Sequence, residues 1–583
     1  MQPKPIRPTD CFKAYTFDQD KVMSPVETVR RFKKKLAQVK LEILKEVRRI
    51  DSGRLDIPVY FSVCGRDAFN VIGNKKQMGK GSTPEQSQAS ACMELAERFS
   101  FFSFTKEPSN FIYDTYANLK KAGQPLLPLT ELLKSVHDDT MDLFQFENLF
   151  SNIPLQWTWA TNLTSETEVL VPFSWFFAIN EFNGPSAGNT YEEAILQGIS
   201  EIVERHVCAV VSHEKLPTPA IDPDSVKDPV ACELIAKFKK HNIDLYLNDF
   251  TLDTGIPTVA ALAIDRNTFP ETSEIVYTAG TTPCPEKALI RAITEVAQLA
   301  GDFNSKSNYV ASGLPKPLSM EEIDYVADPG STTTIDALPN LSNDNMKVEI
   351  DNYLKALAKL DMEVLIVNTM HPNLEIPTIY TIVPGAHFRE RSMLQNAGLF
   401  TAKLVYEQIS DTGQARQQLL EMQEILPGSY FIEFYLGKIE FDDGRYEAAL
   451  RYFEAALEHN PASEDIPYIF SYMGSCLKEM ERYEKAIDVL RKGTELDDER
   501  PDLHNLLGFC HFKLQDYESA IHHFGRTVEL NPASAIDYAN LGVNHNRLGQ
   551  KDEAVKYFQI ALSIDPSIDF AREQLHQLVG ISS

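Results

Sequence analysis

From about Ser24 to Glu46 apolar residues recur at the three- and four-residue spacing of an amphipathic helix. Val59–Cys64, Thr258–Ile264, Ile275–Thr278, Val364–Val367 and Thr378–Val383 are short runs rich in β-branched residues and predict strands. Longer helical patterns separate them. Strands interleaved with helices over residues 1–395 predict a large α+β unit whose sheets are covered by helices. Beyond Asn396 the strand signals vanish: a helical connector is expected over 396–428 and an all-α repeat domain over 429–583.

The repeat is legible in its glycines, Gly437, Gly474, Gly508 and Gly542, which are 37, 34 and 34 residues apart. That period belongs to tetratricopeptide (TPR) repeats. Nine residues after the first three glycines stand Tyr446, Tyr483 and Tyr517, with Lys551 in the fourth unit; twelve after come Ala449, Ala486, Ala520 and Ala554. Sixteen after come Phe453, Leu490, Phe524 and Phe558, and Pro461, Pro532 and Pro566 close three units. Small residues let paired helices approach, and the large ones fill the space between units. Such a solenoid either binds a protein or peptide partner in its groove or serves only to pack and dimerise.

Charge narrows the choice of partner. The 583 residues include 83 acidic and 56 basic side chains, a net charge of −27 that repels a phosphate backbone. The dense basic run Arg30–Lys35 is short and reads as the solvated face of a helix, so nucleic acid is not expected. Eight cysteines form no CxxC pair, which argues against a zinc knuckle or dithiol motif and for reduced thiols. No apolar h-region appears in residues 1–30 and no stretch reaches the length of a membrane span. A cytoplasmic protein without membrane contact is the expectation.

Candidate chemistry begins with a near miss. Gly73–Ser82 contains Gly79-Lys80-Gly81, yet a P-loop needs glycine where Asn74 stands and Ser or Thr where Gly81 stands. Three helical segments are more informative. In Glu85–Phe102, Ser90, Glu94, Glu97 and Arg98 fall within about 100° of arc, and Leu95, Ala96 and Phe99 occupy the remaining surface. Tyr191–Val211 repeats the arrangement with Glu193, Gln197, Glu201, Glu204 and Arg205, preceded by Ser186, Gly188 and Asn189 at a helix start suited to anions. Glu286–Ala300 carries Arg291, Glu295 and Gln298.

A helix that is apolar except for one charged stripe is buried. Its carboxylates then need compensation, because unpaired buried charge is costly. Divalent cations with phosphate oxygens would supply it, and arginine suits phosphate; a structural network of buried salt bridges is the other reading.

The spaced motifs Ser90-x-x-x-Glu94-x-x-Glu97-Arg98, Ser186-x-x-Asn189-x-x-x-Glu193 with Glu201-x-x-Glu204-Arg205, and Arg291-x-x-x-Glu295 resemble the ATP-binding pattern of the YcaO family over about residues 15–395. By that resemblance Lys21 and Thr28 match an N-terminal nucleotide-contacting segment, with threonine where serine is usual. The resemblance implies ATP and Mg2+ as cofactors. Lys21, Thr28, Ser90, Arg98, Ser186, Asn189, Gln197, Arg205 and Arg291 would contact the nucleotide, and Glu94, Glu97, Glu193, Glu201, Glu204 and Glu295 would hold metal. It further implies phosphorylation of a peptide-backbone amide oxygen, then attack by a side chain to give an azoline or by sulfide to give a thioamide.

Azoline-forming members tend to end in a proline-rich tail, whereas this sequence ends Gly580-Ile581-Ser582-Ser583 after repeats. A YcaO domain followed by TPR-like repeats resembles the branch called an accessory factor of ribosomal protein methylthiolation. The alternative is an ATP-binding scaffold without amide chemistry of its own. His206, Cys208 and His213 follow the second motif, but 206 and 208 point about 160° apart on a helix, which favours roles in the core. His387, beside the Val383-Pro384-Gly385 turn, receives no role.

Overall fold

The computed structural model describes residues 2–73, 77–180, 183–304, 317–388 and 396–580; Asn74 of the near-miss P-loop and the terminal Ile581, Ser582 and Ser583 lie outside the described residues. The chain forms two compact units, Met1–Ala397 and Gly398–Ser583.

Among the described residues the first unit contains three sheets. The smallest is antiparallel, in the order β1 (Leu44–Arg49), β2 (Val59–Cys64), β3 (Gln77–Lys80). A second comprises β4 (Ile112–Thr115), β5 (Pro154–Asn162), β13 (Leu365–Asn368), β14 (Thr378–Ile382) and β7 (Pro185–Ala187), with β6 (Thr167–Pro172) paired to β5. The third runs β11 (Val276–Thr281), β10 (Thr258–Ile264), β9 (Asp244–Asp249), β8 (Ala220–Ile221), β12 (Thr332–Thr333). Central β10 is buried at every residue, which is why its sequence from Val259 to Ile264 is continuously apolar rather than alternating.

Each sheet launches one of the striped helices. β3 leads into Pro84–Lys106, β7 into Tyr191–Glu214 and β11 into Pro285–Asn304. Thr83 caps the first of these by accepting from Gln86 N, with Pro84 in the first turn, and Thr190 caps the second by accepting from Glu193 N. Their apolar surfaces enter separate cores. Leu95, Ala96 and Phe99 pack with Phe32 and Ile376; Ile195, Ile199 and Ile202 pack with Leu262 and Ile366; Ile293 and Val296 pack with Ala261 and Phe238.

The helix expected over Ser24–Glu46 is shorter than its pattern. It spans Pro25–Val39, Lys40 takes a left-handed conformation at φ 55°, and Leu44–Arg49 is a strand paired with β2, Arg48 opposite Phe61. Leu41, Leu44 and Val47 fit the helical period equally well, and tertiary pairing overrode that local preference.

The second unit is all helical. The stretch expected as connector supplies the helices Ala397–Gln408 and Thr412–Ile425. Four helix pairs follow, the first Tyr430–Asp442 with Tyr446–Glu458 and the last Ala535–Arg547 with Lys551–Ile564, then a final helix Asp569–Val579. The repeat glycines are where paired helices touch: a Cβ on Gly437 would stand 2.7 Å from the Phe453 ring, and one on Gly474 would stand 2.3 Å from Leu490. No described helix is long and apolar enough to cross a membrane.

Candidate nucleotide and metal site

The three striped helices face one cavity of about 310 Å³. Glu94, Glu97 and Arg98 enter it from the first helix, Glu193, Gln197, Glu201, Glu204 and Arg205 from the second, and Arg291, Glu295 and Gln298 from the third. Met23, Pro25, Met78, Ala89 and Met93 contribute an apolar portion. A cavity lined by both apolar and charged side chains suits a ligand that, like a nucleotide, combines an apolar base with charged phosphates.

The carboxylates are held mainly by cations on the same helices and their neighbours. Arg98 Nε lies 3.4 Å from Glu97 Oε1, Arg205 Nη2 lies 3.8 Å from Glu201 Oε1, and Lys80 pairs with Glu295. Arg291 Nε donates to Glu204 Oε2 at 2.9 Å, an oxygen that also accepts Thr281 N at 3.1 Å. Burial pushes the Glu94 carboxyl up to about 7 and raises that of Glu97 well above its usual range, with Arg98 opposing both. These glutamates keep some surface accessibility, on the wall of a cavity that is open to solvent on one side, so the direction of the shift follows burial while its size is reduced by that access.

Among the described residues no three carboxylate, imidazole or thiol groups converge as a ready-made metal cage. Magnesium keeps several non-protein oxygens and is held by a few carboxylates together with phosphates. A divalent ion arriving with a nucleotide would neutralise the carboxylates whose charge the cavity disfavours. Arg98, Arg205, Arg291 and Lys80 would then be available to phosphate oxygens. The donor set therefore fits Mg-ATP.

Of the residues singled out from the sequence, Lys21, Thr28, Ser90, Arg98, Asn189, Gln197, Arg205 and Arg291 line this cavity, as do the six glutamates. Ser186 does not. It is fully buried and its hydroxyl donates to Ala194 O at 2.9 Å, which ties β7 to the second helix. Glu193 faces the cavity but is occupied by backbone and amide donors: Oε1 accepts Val22 N at 2.6 Å, and Oε2 accepts Asn189 N at 2.8 Å and Asn189 Nδ2 at 2.9 Å. Asn189 Nδ2 also reaches Thr28 Oγ1 at 3.1 Å.

Lys80 is the main residue the sequence reading missed. The Gly79-Lys80-Gly81 turn is no P-loop, yet Lys80 enters the cavity from β3, and burial and the Arg291 charge lower its ammonium to about 7. The signal was present in the flanking glycines. A Cβ on Gly79 would collide with Ala91 N at 2.2 Å, so glycine is required for β3 to lie against the first helix. Asp18, Gln19, Ser82 and Gln86 also line the cavity without having been anticipated.

The histidines after the second motif divide. His213 is exposed, whereas His206 is buried and accepts His387 N at Nδ1, 3.1 Å away. His387 stacks on His137 with ring centroids 3.6 Å apart and on His206 at 5.4 Å, and burial lowers His206 to about 4. Cys208 is a buried core residue.

Several known proteins are similar to this chain. An uncharacterized protein of Methanothermobacter thermautotrophicus is 27% identical over 383 residues, covering 62% of this chain and 93% of the relative. The ribosomal protein S12 methylthiotransferase accessory factor YcaO of Escherichia coli is 26% identical over 306 residues, 49% of this chain and 50% of that protein. A solved heterocyclase in complex with substrate and cofactor shares the fold at a TM-score of 0.54 and 22% identity, over 66% of this chain and 55% of that one. The chain thus spans about half the length of the last two. In the second unit, a signature of anaphase-promoting complex (cyclosome) subunit 3 matches residues 433–527 and a tetratricopeptide signature matches 511–567. The signature described as YcaO cyclodehydratase, ATP- and Mg2+-binding, matches residues 78–387, more than half of the sequence. The chain belongs to the YcaO family, and its cofactors are ATP and Mg2+.

Proposed function

We propose that this protein uses Mg-ATP to activate a peptide-backbone amide by O-phosphorylation, acting as an accessory factor in ribosomal protein methylthiolation or a related protein modification. The observation that carries the reading is the meeting of Glu94, Glu97, Glu201, Glu204 and Glu295 with Arg98, Arg205, Arg291 and Lys80 around one cavity. When bound, Mg-ATP supplies the phosphoryl group that turns an amide oxygen into a leaving group. The chain's own side chains bind, orient and neutralise. Its arginines and Lys80 would hold the phosphates, and its glutamates would hold the metal. Such positioning and charge compensation is most of what phosphoryl transfer asks of a protein.

The name of the Escherichia coli relative supports the accessory-factor role, and the repeat unit supports delivery of a protein substrate by a partner. The test is capture of polypeptides on residues 398–583, followed by incubation with full chain and Mg-ATP, with and without added sulfide, and mass analysis for loss of water or, in the sulfide arm, oxygen-to-sulfur exchange. ADP formation coupled to either mass change supports amide activation. Tight ATP binding without turnover in the presence of the captured partner would mark an adaptor instead.

A further inference from the structure

Residues 13–22 form a strap beside the nucleotide cavity. Tyr15 and Lys21 pair antiparallel, with Tyr15 N donating to Lys21 O at 2.9 Å and Lys21 N to Tyr15 O at 2.8 Å. Asp18 stands at the tip of the resulting loop. It is 1% exposed and lines the cavity, and both of its oxygens are engaged: Oδ1 accepts Tyr15 OH at 3.0 Å and Oδ2 accepts Ser82 Oγ at 2.6 Å.

These partners are neutral hydroxyls. A carboxylate buried beside a site for polyphosphate opposes the ligand's charge, so its retention calls for a geometric reason. Ser82 provides one. It follows Lys80 and Gly81 in a turn pressed against the first striped helix so closely that a Cβ on Gly81 would stand 2.6 Å from Gln86. The strap has little regular structure of its own and depends on side-chain ties. Lys13 reaches Asp20 at 2.7 Å, Lys287 Nζ reaches Phe17 O at 2.6 Å, and Val22 N reaches Glu193. The Asp18–Ser82 bond joins the strap carrying Lys21 to the closely packed turn carrying Lys80.

We propose that Asp18 is a positioning residue of the nucleotide site: it latches the Tyr15–Lys21 strap to the Lys80–Ser82 turn and so holds both lysines against the bound nucleotide. The proposal rests on the cavity being the Mg-ATP site. The latch needs an acceptor for Tyr15 and a partner for the Ser82 hydroxyl; it does not need the negative charge.

The test is titration of Mg-ATP into the full chain with thermal unfolding measured in parallel. Asp18→Ala is expected to weaken binding by roughly ten-fold or more, the scale of losing hydrogen bonds to a charged group. Asp18→Asn can keep both bonds and is expected to bind within about three-fold of wild type. Ser82→Ala removes the same latch from the other side and leaves the test open if Asp18→Ala does not fold. The double variant is expected to bind no more weakly than Asp18→Ala alone, because the two changes break one contact. Wild-type affinity in Ser82→Ala and Asp18→Ala, a lowered Tm with unchanged affinity, or an Asp18→Asn as weak as the alanine variant would each overturn the latch alone. A wild-type chain that binds no Mg-ATP would overturn the reading of the cavity, and the latch with it.

Discussion

Arg291 on the Pro285–Asn304 helix donates from Nε to Glu204 Oε2 at 2.9 Å and from Nη1 to Gln197 Oε1 at 3.1 Å, both acceptors lying on the Tyr191–Glu214 helix. One guanidinium thus fastens two of the three site helices while facing the cavity. Arg291→Ala is expected to cost about 3 kcal/mol of stability, the scale of orphaning a buried carboxylate, and to lower Mg-ATP affinity. Thermal unfolding and nucleotide titration check the two effects separately, and an unchanged affinity would remove Arg291 from the site.

Glu94 links the site to pH. Its carboxyl is raised from 4.5 to about 7 by burial, so between those values the folded protein binds more protons than the unfolded chain. The metal-free first unit should therefore lose stability as pH rises through that window, by on the order of 1–2 kcal/mol once access of solvent to the cavity is discounted. Glu94→Gln should raise the Tm of metal-free protein at pH 8 and weaken Mg2+-dependent ATP binding. Melting curves with and without EDTA distinguish the two effects; a Glu94→Gln that melts below wild type in EDTA at pH 8 would contradict the account.

Lys80 is expected to contribute charge to phosphate binding. Lys80→Met should lower Mg-ATP affinity by roughly ten-fold, as loss of a charge-assisted contact does, and Lys80→Arg should recover only part because a planar fork does not substitute for a compact ammonium. Titration calorimetry on the three proteins is the measurement, and equal affinities would count against Lys80.

The second unit should be sensitive to acid. His504 Nδ1 lies 3.1 Å from His523 Nδ1, His511 Nδ1 lies 3.0 Å from Asp516, and burial together with the neighbouring imidazoles lowers His523 to about 3. The folded state then binds fewer protons than the unfolded chain, whose histidines titrate near 6.5, so stability falls as pH drops below about 6.5. Hydrogen-exchange protection factors, taken relative to the intrinsic rate at each pH, should fall between pH 7 and 5 in the helices Pro501–Lys513 and Tyr517–Leu530, and His523→Gln should flatten that dependence.

Gly474→Ala should destabilise the repeats by about 1–3 kcal/mol through overpacking against Leu490, 2.3 Å from the added methyl. Mg-ATP affinity of the full chain should be unchanged. Loss of nucleotide binding in a folded Gly474→Ala would mean that the two units are energetically coupled.

The sequence carried much of this because its strongest signals are periodic. Glycine, alanine and phenylalanine at fixed offsets need the same helix pair each time, and Glu94, Glu97 and Arg98 share a face on any helix. Two kinds of feature escaped. The strand Leu44–Arg49 has apolar spacing compatible with a helix and was decided by its pairing with β2. Lys80 and Asp18 belong to no periodic stripe, and reach the cavity only because β3 and the strap are brought to it by contacts distant in sequence, Asp18 to Ser82 among them.

The sequence by itself determined the α+β unit followed by helical repeats, the three carboxylate stripes and their family pattern, since each follows from local periodicity or motif spacing. Only the tertiary structure decided that the stripes face one cavity, that Ser186 turns away from it, that Glu193 is engaged by Val22 and Asn189, and that Lys80 and Asp18 join the site. The physical reason is that a stripe fixes which side chains leave a helix together, whereas what they meet depends on how three sheets set the helix directions.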